Sequence, residues 1–352
     1  MIINEHQREH INNDCIEILE NKTHDLVFLK NTKIVIIGGT GFLGSWIAEL
    51  VLVLNLKHSF SIKLYIIAND IDNFKESKQH LCNHSFIELI NSDVRSLIDL
   101  PSDADYIINA ASSPDTRIHA SKPFDTASII SDGIIKILNA CLRLSNLRKI
   151  IHLSSGLIAN PINKMQGISE KSSNIFDFKN DSSNIYQCSK IYSEALCNSA
   201  RSQLRLPITI LRPFNFMGPY QKLSSPWAHT SLLNDAINSR ILNIKGDGEI
   251  VRSYLYGADA AFWTLKFLVS GNIGGVYNIG SDQPISLKEL AKKISYHSGL
   301  SDKIKINHFL DNTKINKYFY PDLTLIKKEF SLTVTIPIDD SIKKTISWHR
   351  LK

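Results

Sequence analysis

Apolar and polar positions alternate along this chain in two rhythms. Short apolar runs of strand length occur at Ile34–Ile37, Leu64–Ala68, Phe86–Ile90, Tyr106–Asn109, Ile150–Ser154 and Ile208–Leu211, and segments with helical apolar spacing lie between most of them. Runs apolar throughout fit strands buried on both faces, and their alternation with helices predicts an α/β fold, a doubly wound parallel sheet of the Rossmann type. Before the first strand, INNDCIEILE and LVFL carry helix-like spacing, so residues 1–32 read as a helical extension packed on the core. After Gly156 the pattern breaks: Asn160 to Asn184 is rich in Ser and Asn and reads as loop. The division expected is a nucleotide-binding domain of 33–214 plus 251–280, and a smaller, discontinuous C-terminal substrate-binding lobe of 215–250 and 281–352.

The first strand runs directly into GGTGFLG, in which Gly38, Gly41 and Gly44 fall three apart before the helix-like SWIAELVLVL. That context suits a dinucleotide pyrophosphate. One glycine permits the tight turn, one lets phosphates approach the backbone, and one lets the helix pack closely, while the helix N-terminus offers free N–H groups to the anion.

Composition narrows the picture. The 352 residues are 43% hydrophobic and 21% charged, with a net charge of +6 spread along the chain. This reads as a globular protein with a preference for small anions rather than nucleic acid. Five cysteines (Cys15, Cys82, Cys141, Cys188, Cys197) show no paired metal spacing and read as reduced thiols of a cytoplasmic protein. Apolar runs stay below membrane-spanning length, and the twelve histidines form no metal constellation. No metal is expected.

The second chemical signal is Tyr186 with Lys190, four apart on a predicted helix and so on one face. A cation there favours phenolate and is expected to lower the tyrosine pKa, as a general acid/base requires. Ser154-Ser155-Gly156 follows directly on a strand, where a hydroxyl reaches a ligand at the sheet's carboxyl edge.

Taken in order, GGTGFLG, Asp93-Val94-Arg95, Asn109-Ala110-Ala111, Ser154-Ser155-Gly156, Tyr186 with Lys190 and Glu194, Arg212 to Pro219, the RSYLY run from Arg252, and Tyr277 to Gly280 resemble the extended short-chain dehydrogenases/reductases. Within these the chain is similar to the NAD-dependent epimerase/dehydratase family acting on nucleotide sugars. The resemblance implies that Gly38, Thr40, Gly41, Phe42, Leu43 and Gly44 cradle the cofactor pyrophosphate, that Asn69 and Asp70 meet the adenosine ribose, and that Asp93 and Val94 flank the adenine. Ala110 and Ala111 would line the cofactor cleft. Ser155 would bind the reacting sugar oxygen, Tyr186 move its proton, and Lys190 hold the nicotinamide ribose; Tyr186 and Lys190 thus also touch cofactor. Asn215 and Arg252 would meet the nucleotide-diphosphate, a guanidinium forking well onto phosphate. Structural alternatives accompany several of these: Asp93 ending a turn, Asn109 satisfying backbone groups, Arg252 in a surface ion pair, Asp259 capping the helix that follows, His152 packed in its strand.

Two departures bear on mechanism. Family dehydratases carry an Asp–Glu pair just after the active-site hydroxyl, and related decarboxylases keep a Glu; this chain has Gly156 and Leu157. Neither moves a proton, so the expected chemistry is alcohol–ketone interconversion at sugar C4, as an epimerase or 4-ketoreductase. The alternatives are a 4,6-dehydratase, a 4-dehydrogenase, or a non-catalytic dinucleotide-binding regulator, which would lack the Tyr/Lys pair. At the second strand's end, Ala68-Asn69-Asp70 leaves room for a 2′-phosphate without an Arg to bind it, so NAD and NADP both stay open. The expected partners are a nucleotide-diphosphate sugar and a second copy of the chain, with no nucleic acid and no membrane. The resemblance places the dimer interface on helices near 131–145 and around Tyr186, with Ile134, Ile137, Leu138 and Leu142 fit for an interface or for core. Bacterial surface-polysaccharide synthesis is the setting it suggests.

Overall fold

The computed structural model describes residues 2–159, 165–172, 184–300, 303–307 and 317–351. Most of the loop expected at 160–184 therefore lies outside the described residues. Helix α1 (Glu5–Leu19) and a 3-10 turn at Thr23–Leu29 precede β1 (Lys33–Ile37). There follow α2 (Phe42–His58), β2 (Lys63–Ala68), α3 (Asp72–Ser77), α4 (Gln79–Cys82), β3 (Ile87–Asn91), β4 (Tyr106–Asn109), α5 (Thr116–Ser121), α6 (Pro123–Cys141) and β5 (Lys149–Leu153). Next come α7 (Ile185–Leu204), β6 (Ile208–Pro213), β7 (Phe216–Met217), α8 (Ala228–Ile237), β8 (Leu242–Lys245), β9 (Val251–Arg252), β10 (Leu255–Tyr256) and α9 (Gly257–Ser270). The remainder is β11 (Val276–Ile279), β12 (Ile285–Ser286), α10 (Leu287–Ser298), β13 (Ile304–Asn307), β14 (Tyr318–Phe319), α11 (Thr324–Phe330) and α12 (Ile338–Arg350).

Seven strands form one parallel sheet in the order β11-β6-β5-β4-β1-β2-β3. The order reverses between β1 and β4, which opens a crevice at their carboxyl ends. The six apolar runs all form strands, with ends shifted by a residue or two; β11 is a seventh that the alternation did not reveal. Side chains alternate across the sheet. Ile34 and Ile36 join a core with α1, α2 and α9, whereas Val35 and Ile37 join one with α6 and α7. A third core, including Leu232, Leu242, Leu290 and Ile346, joins α8, α10, α12 and β8 beside the sheet.

Residues 1–32 are bound into this body. Ile11, Cys15 and Ile18 are fully buried in the α2/α9 core. Asn4 and Gln7 form a reciprocal capping box at the start of α1. The Gln7 amide donates to the Trp348 carbonyl at 3.1 Å, the Trp348 indole donates back to the Gln7 carbonyl at 3.2 Å, and Asn4 Nδ2 donates to the Leu351 carbonyl at 2.8 Å. Deeper in, the Asp14 carboxylate accepts from Tyr256 Oη at 2.5 Å and Lys344 Nζ at 2.6 Å. Asp259, fully buried, does not cap α9. It sits in that helix's first turn, Tyr256 is the N-cap, and its carboxylate accepts the Thr335 and Ile336 N–H groups at 3.0 Å, tying the C-terminal segment down.

Removing the Asp14 carboxylate leaves the buried Tyr256 hydroxyl without its acceptor, while half-buried Lys344 keeps Glu17, so Asp14→Ala is expected to cost about 1–3 kcal/mol. Thermal and urea unfolding check this, and a Tyr256→Phe double mutant should lose less than the sum of the two singles.

Candidate active site

The glycines of the β1–α2 turn meet three different demands. Gly38 has φ +79°, and a Cβ there would lie 2.7 Å from the Ala110 carbonyl carbon, because β1 and β4 converge at this point. At Gly44 a Cβ would strike the Gly39 backbone, so the third glycine lets α2 seat on the turn. Gly41 is the N-cap of α2 and is exposed, with nothing nearer to an added Cβ than the Gly38 carbonyl oxygen at 3.7 Å. No side chain caps α2, so its first-turn N–H groups and the positive end of its dipole are presented over Gly41. Thr40 and Phe42 are half-buried beside it, and Leu43 is buried in the core.

Farther along the crevice, Asn69 and Asp70 are exposed after β2, and Asp70 Oδ1 accepts the Asn73 N–H at 3.4 Å. Asp93 caps a short 3-10 turn and takes a bidentate grip from its own neighbour, Arg95 Nε at 3.0 Å and a terminal nitrogen at 2.6 Å. That guanidinium holds the Asp93 carboxyl below the usual carboxylate range. Val94 is buried against Gly133 of α6, and Ala110 and Ala111 are half-buried at the end of β4.

The sheet's carboxyl edge brings Ser155, Tyr186 and Lys190 together. Tyr186, 5% exposed, has the Ser155 and Ser112 side chains as polar neighbours of its hydroxyl. Its ring stacks on His119, with centroids 4.2 Å apart and planes 11° off parallel. His119 is held by an Nε2 bond to the Ser113 carbonyl at 2.7 Å. Lys190, 2% exposed, donates from Nζ to the Leu153 carbonyl at 2.8 Å. Burial pushes its ammonium down to about 8, with the Glu194 carboxylate opposing that shift.

The expected lowering of the Tyr186 pKa is not what this site does. Burial pushes the phenol up, and its Ser155 and Ser112 hydrogen bonds only partly offset the rise. The ammonium sits 5.8 Å from the Tyr186 ring centroid and is committed to the Leu153 carbonyl.

Beneath the site runs a buried polar chain. Burial lowers the His152 imidazole to about 3, so it is neutral at ordinary pH, and its contacts fix every donor. Asn109 Nδ2 donates to His152 Nδ1 at 3.1 Å, His152 Nε2 donates to Ser193 Oγ at 2.9 Å, and Ser193 Oγ donates to the Lys190 carbonyl at 2.7 Å. Asn109 Oδ1 also accepts the Ala111 N–H at 3.2 Å. The chain pins α7 across the ends of β4 and β5. Alongside it, Glu194 and Arg212 form a buried two-bond pair at 2.8 and 2.9 Å.

On the lobe side, Asn215 is half-buried and donates to the Ser253 carbonyl at 3.3 Å. Arg252 lies over the Phe319 ring, 5.6 Å from its centroid, and donates to the Val251 carbonyl at 2.8 Å and the Lys317 carbonyl at 3.1 Å. Burial pushes its guanidinium down, and among the described residues no carboxylate pairs with it. A half-buried arginine without a carboxylate is poised for an anion. Gly156 has no room for a side chain, since a Cβ would lie 2.7 Å from the Phe214 ring. Phe214 packs on Phe319 at 4.9 Å, and Ala159 and Ile168 complete an apolar cluster against which Leu157 lies.

These observations fit a dinucleotide. The turn clears a path for a diphosphate over Gly41, and Ser154 Oγ, buried at the end of β5, has no hydrogen-bond partner among the described residues. The sequence profile of the NAD dependent epimerase/dehydratase family matches residues 34–280. The chain belongs to this family.

The family member is 27% identical over 328 residues to the trifunctional UDP-glucose 4,6-dehydratase/UDP-4-keto-6-deoxy-D-glucose 3,5-epimerase/UDP-4-keto-L-rhamnose-reductase of Arabidopsis thaliana. That alignment covers 90% of the chain, which spans only 46% of the plant protein. It is 26% identical to the UDP-N-acetyl-alpha-D-glucosaminuronate decarboxylase of Bacillus cytotoxicus, over 90% of this chain and 97% of the relative. Among solved structures it resembles the UDP-glucuronic acid 4-epimerase of Bacillus cereus in complex with NAD, with TM-score 0.75, 22% identity, and 91% and 99% of the two chains covered. This likeness speaks for the fold.

Four site residues escaped sequence reasoning. Ser112 adjoins the Ala110-Ala111 pair and Ser193 lies one helical turn beyond Lys190, so local spacing held a signal for both. Phe214 lay inside the Arg212 to Pro219 motif without a role assigned to it, and His119 carried no signal, because only the fold brings it to Tyr186. Among the described residues no cluster of His, Cys, Asp and Glu is arranged to hold a metal, and no helix is long and apolar enough to cross a membrane.

His152 and His229 are both fully buried and held neutral to about 3, against about 6.5 when unfolded. The unfolded chain binds the protons first, so stability is full above pH 6.5 and is lost as pH falls from there towards 3. Melting temperature should fall across this window more gently in His152→Gln than in the wild type; an equal slope would mean that His152 is not the group responsible.

Proposed function

We propose that this chain is an NAD-dependent nucleotide-sugar enzyme that interconverts alcohol and ketone at sugar C4, as an epimerase or 4-ketoreductase. The carrying observation is the gathering of Ser155, Tyr186 and a buried Lys190 at the sheet's carboxyl edge, with Gly156 and Leu157 where elimination would need carboxylates. Bound NAD would supply the hydride acceptor and donor. Residues 33–214 with 251–280 would hold it, Gly38, Gly41 and Gly44 clearing the way for its diphosphate and Lys190 meeting its nicotinamide ribose. The exposed turn at Asn69 and Asp70, with no cation paired to Asp70 among the described residues, favours free ribose hydroxyls over a 2′-phosphate.

The protein's own groups account for the proton. A phenol raised by burial is a poor base as it stands, so Tyr186 takes the C4 hydroxyl proton only when positive charge arrives beside it and a ligand displaces its Ser155 or Ser112 partner. Ser155 then steadies the C4 oxygen. In the reductive direction the raised phenol is already protonated and ready to donate. Asn215, in the lobe of 215–250 and 281–352, and Arg252, in the 251–280 stretch that adjoins it, would take the nucleotide-diphosphate.

The relatives named as a dehydratase and a decarboxylase motivate a direct test. Purified protein is incubated with UDP-, dTDP-, GDP- and CDP-sugars, including 4-keto forms, with each nicotinamide cofactor, and the products are read by absorbance and NMR. Isomerised sugar without net nicotinamide change means epimerase; stoichiometric loss of NADH means reductase. A 4-keto-6-deoxy product from a hexose, or release of carbon dioxide from a uronate, would overturn the reading. Tyr186→Phe should lower kcat by about 10²–10⁴-fold with cofactor binding retained.

A homodimer through α6 and α7 belongs to the same proposal, with a corrected surface. Ile134, Ile137 and Leu138 are spent on the chain's own core, while Phe124, Ile135 and Leu142 on α6 and Tyr192 on α7 are exposed. Phe124→Glu combined with Leu142→Glu should halve the solution mass measured by light scattering with the circular dichroism spectrum unchanged; an unaltered dimer excludes this face.

A further inference from the structure

Ser155 is the N-cap of the short turn 156–158, and its Oγ accepts the Leu157 N–H at 3.1 Å. Leu157 is therefore the next side chain beyond Gly156 along the wall that starts at the reactive hydroxyl. This wall is apolar for a structural reason. Phe214 fills the space a side chain at 156 would occupy, and Phe319, Ile168 and Ala159 back it. Leu157 packs on that cluster and stays half-exposed. The side chains packed behind Leu157 are thus Phe214, Phe319, Ile168 and Ala159, all apolar. The cation that approaches them is Arg252 over Phe319, which gives two of its hydrogen bonds to main-chain carbonyls.

We infer that Leu157, backed by Phe214, selects nucleotide sugars whose C5 carries methyl or hydrogen, that is 6-deoxyhexoses or pentoses and their 4-keto forms, over those with hydroxymethyl or carboxylate. This rests on the C4 reading above. A sugar whose C4 oxygen sits on Ser155 and Tyr186 must turn one neighbouring carbon towards Leu157. C3 of a hexose carries oxygen or nitrogen, so C5 is the neighbour able to present an apolar group. A hydroxymethyl placed there loses its water without gaining a partner, and a carboxylate loses more.

Calorimetry on the intact protein with NAD⁺ tests this, using matched UDP and dTDP sets that differ only at C5: glucose, glucuronate, 6-deoxyglucose and xylose. The 6-deoxy and pentose forms should bind about 10- to 100-fold more tightly than glucose, with glucuronate weakest. Leu157→Gln should close most of the gap between glucose and 6-deoxyglucose, and Leu157→Met should preserve it. Equal or tighter binding of glucose or glucuronate overturns the inference while leaving C4 chemistry intact. A ranking unchanged in Leu157→Gln overturns the assignment to Leu157. If Leu157→Gln does not fold, the wild-type ranking and Leu157→Met decide. Binding of no nucleotide sugar at all defeats instead the nucleotide-sugar reading on which this rests.

Discussion

The Lys190 ammonium, almost wholly out of water, donates to the Leu153 carbonyl, so a main-chain acceptor at the end of β5 is taken by a side chain from α7 rather than by solvent. A buried cation is tolerated only when its donors are satisfied, and this one also has the Glu194 carboxylate favouring its charge. That bond and the chain from Asn109 through His152 and Ser193 set α7 at a fixed angle across the sheet. The position of Tyr186 over Ser155 follows from it. The same burial that anchors Lys190 raises the phenol it serves, so the resting site holds its proton tightly and gains its chemistry from what binds beside it.

Much of this was legible in the chain because the physics is local. The β1–α2 turn announces itself through three glycines at fixed spacing, and the structure gives each a separate steric cause. Five of the six apolar runs lie in strands buried along most of their length, with little polar side to disguise them, and the sixth, β3, is an edge strand with Glu88 exposed. β11 was hidden, since Val276 to Ile279 is short, carries Asn278 within it and lies behind a glycine pair. Helical spacing marked Ile134, Ile137 and Leu138 as one apolar face of α6 but carried no information on what covers it, which is decided by α7. His119 lay wholly outside sequence reasoning: its stacking on Tyr186 depends on α5 being folded back across the carboxyl edge.

The apolar cluster behind Ser155 leaves position 156 without room for a side chain. Replacing the residue at 156 alone would not restore an acid there, because Phe214 has taken the volume. That constraint is one of packing, shared among Phe214, Phe319, Ile168 and Ala159.

The mutual hydrogen bonds of Gln7 and Trp348 join the first helix to the last. Contacts spanning nearly the whole chain are the slowest to form, since loop closure must be completed before they stabilise anything. On folding, α1 gains its Trp348, Lys344 and Leu351 partners only once α12 is in place. Until then its apolar face has α2 and α9 but no C-terminal clasp. In this protein α12 acts as the latch on α1, closed by the paired bonds of Gln7 and Trp348.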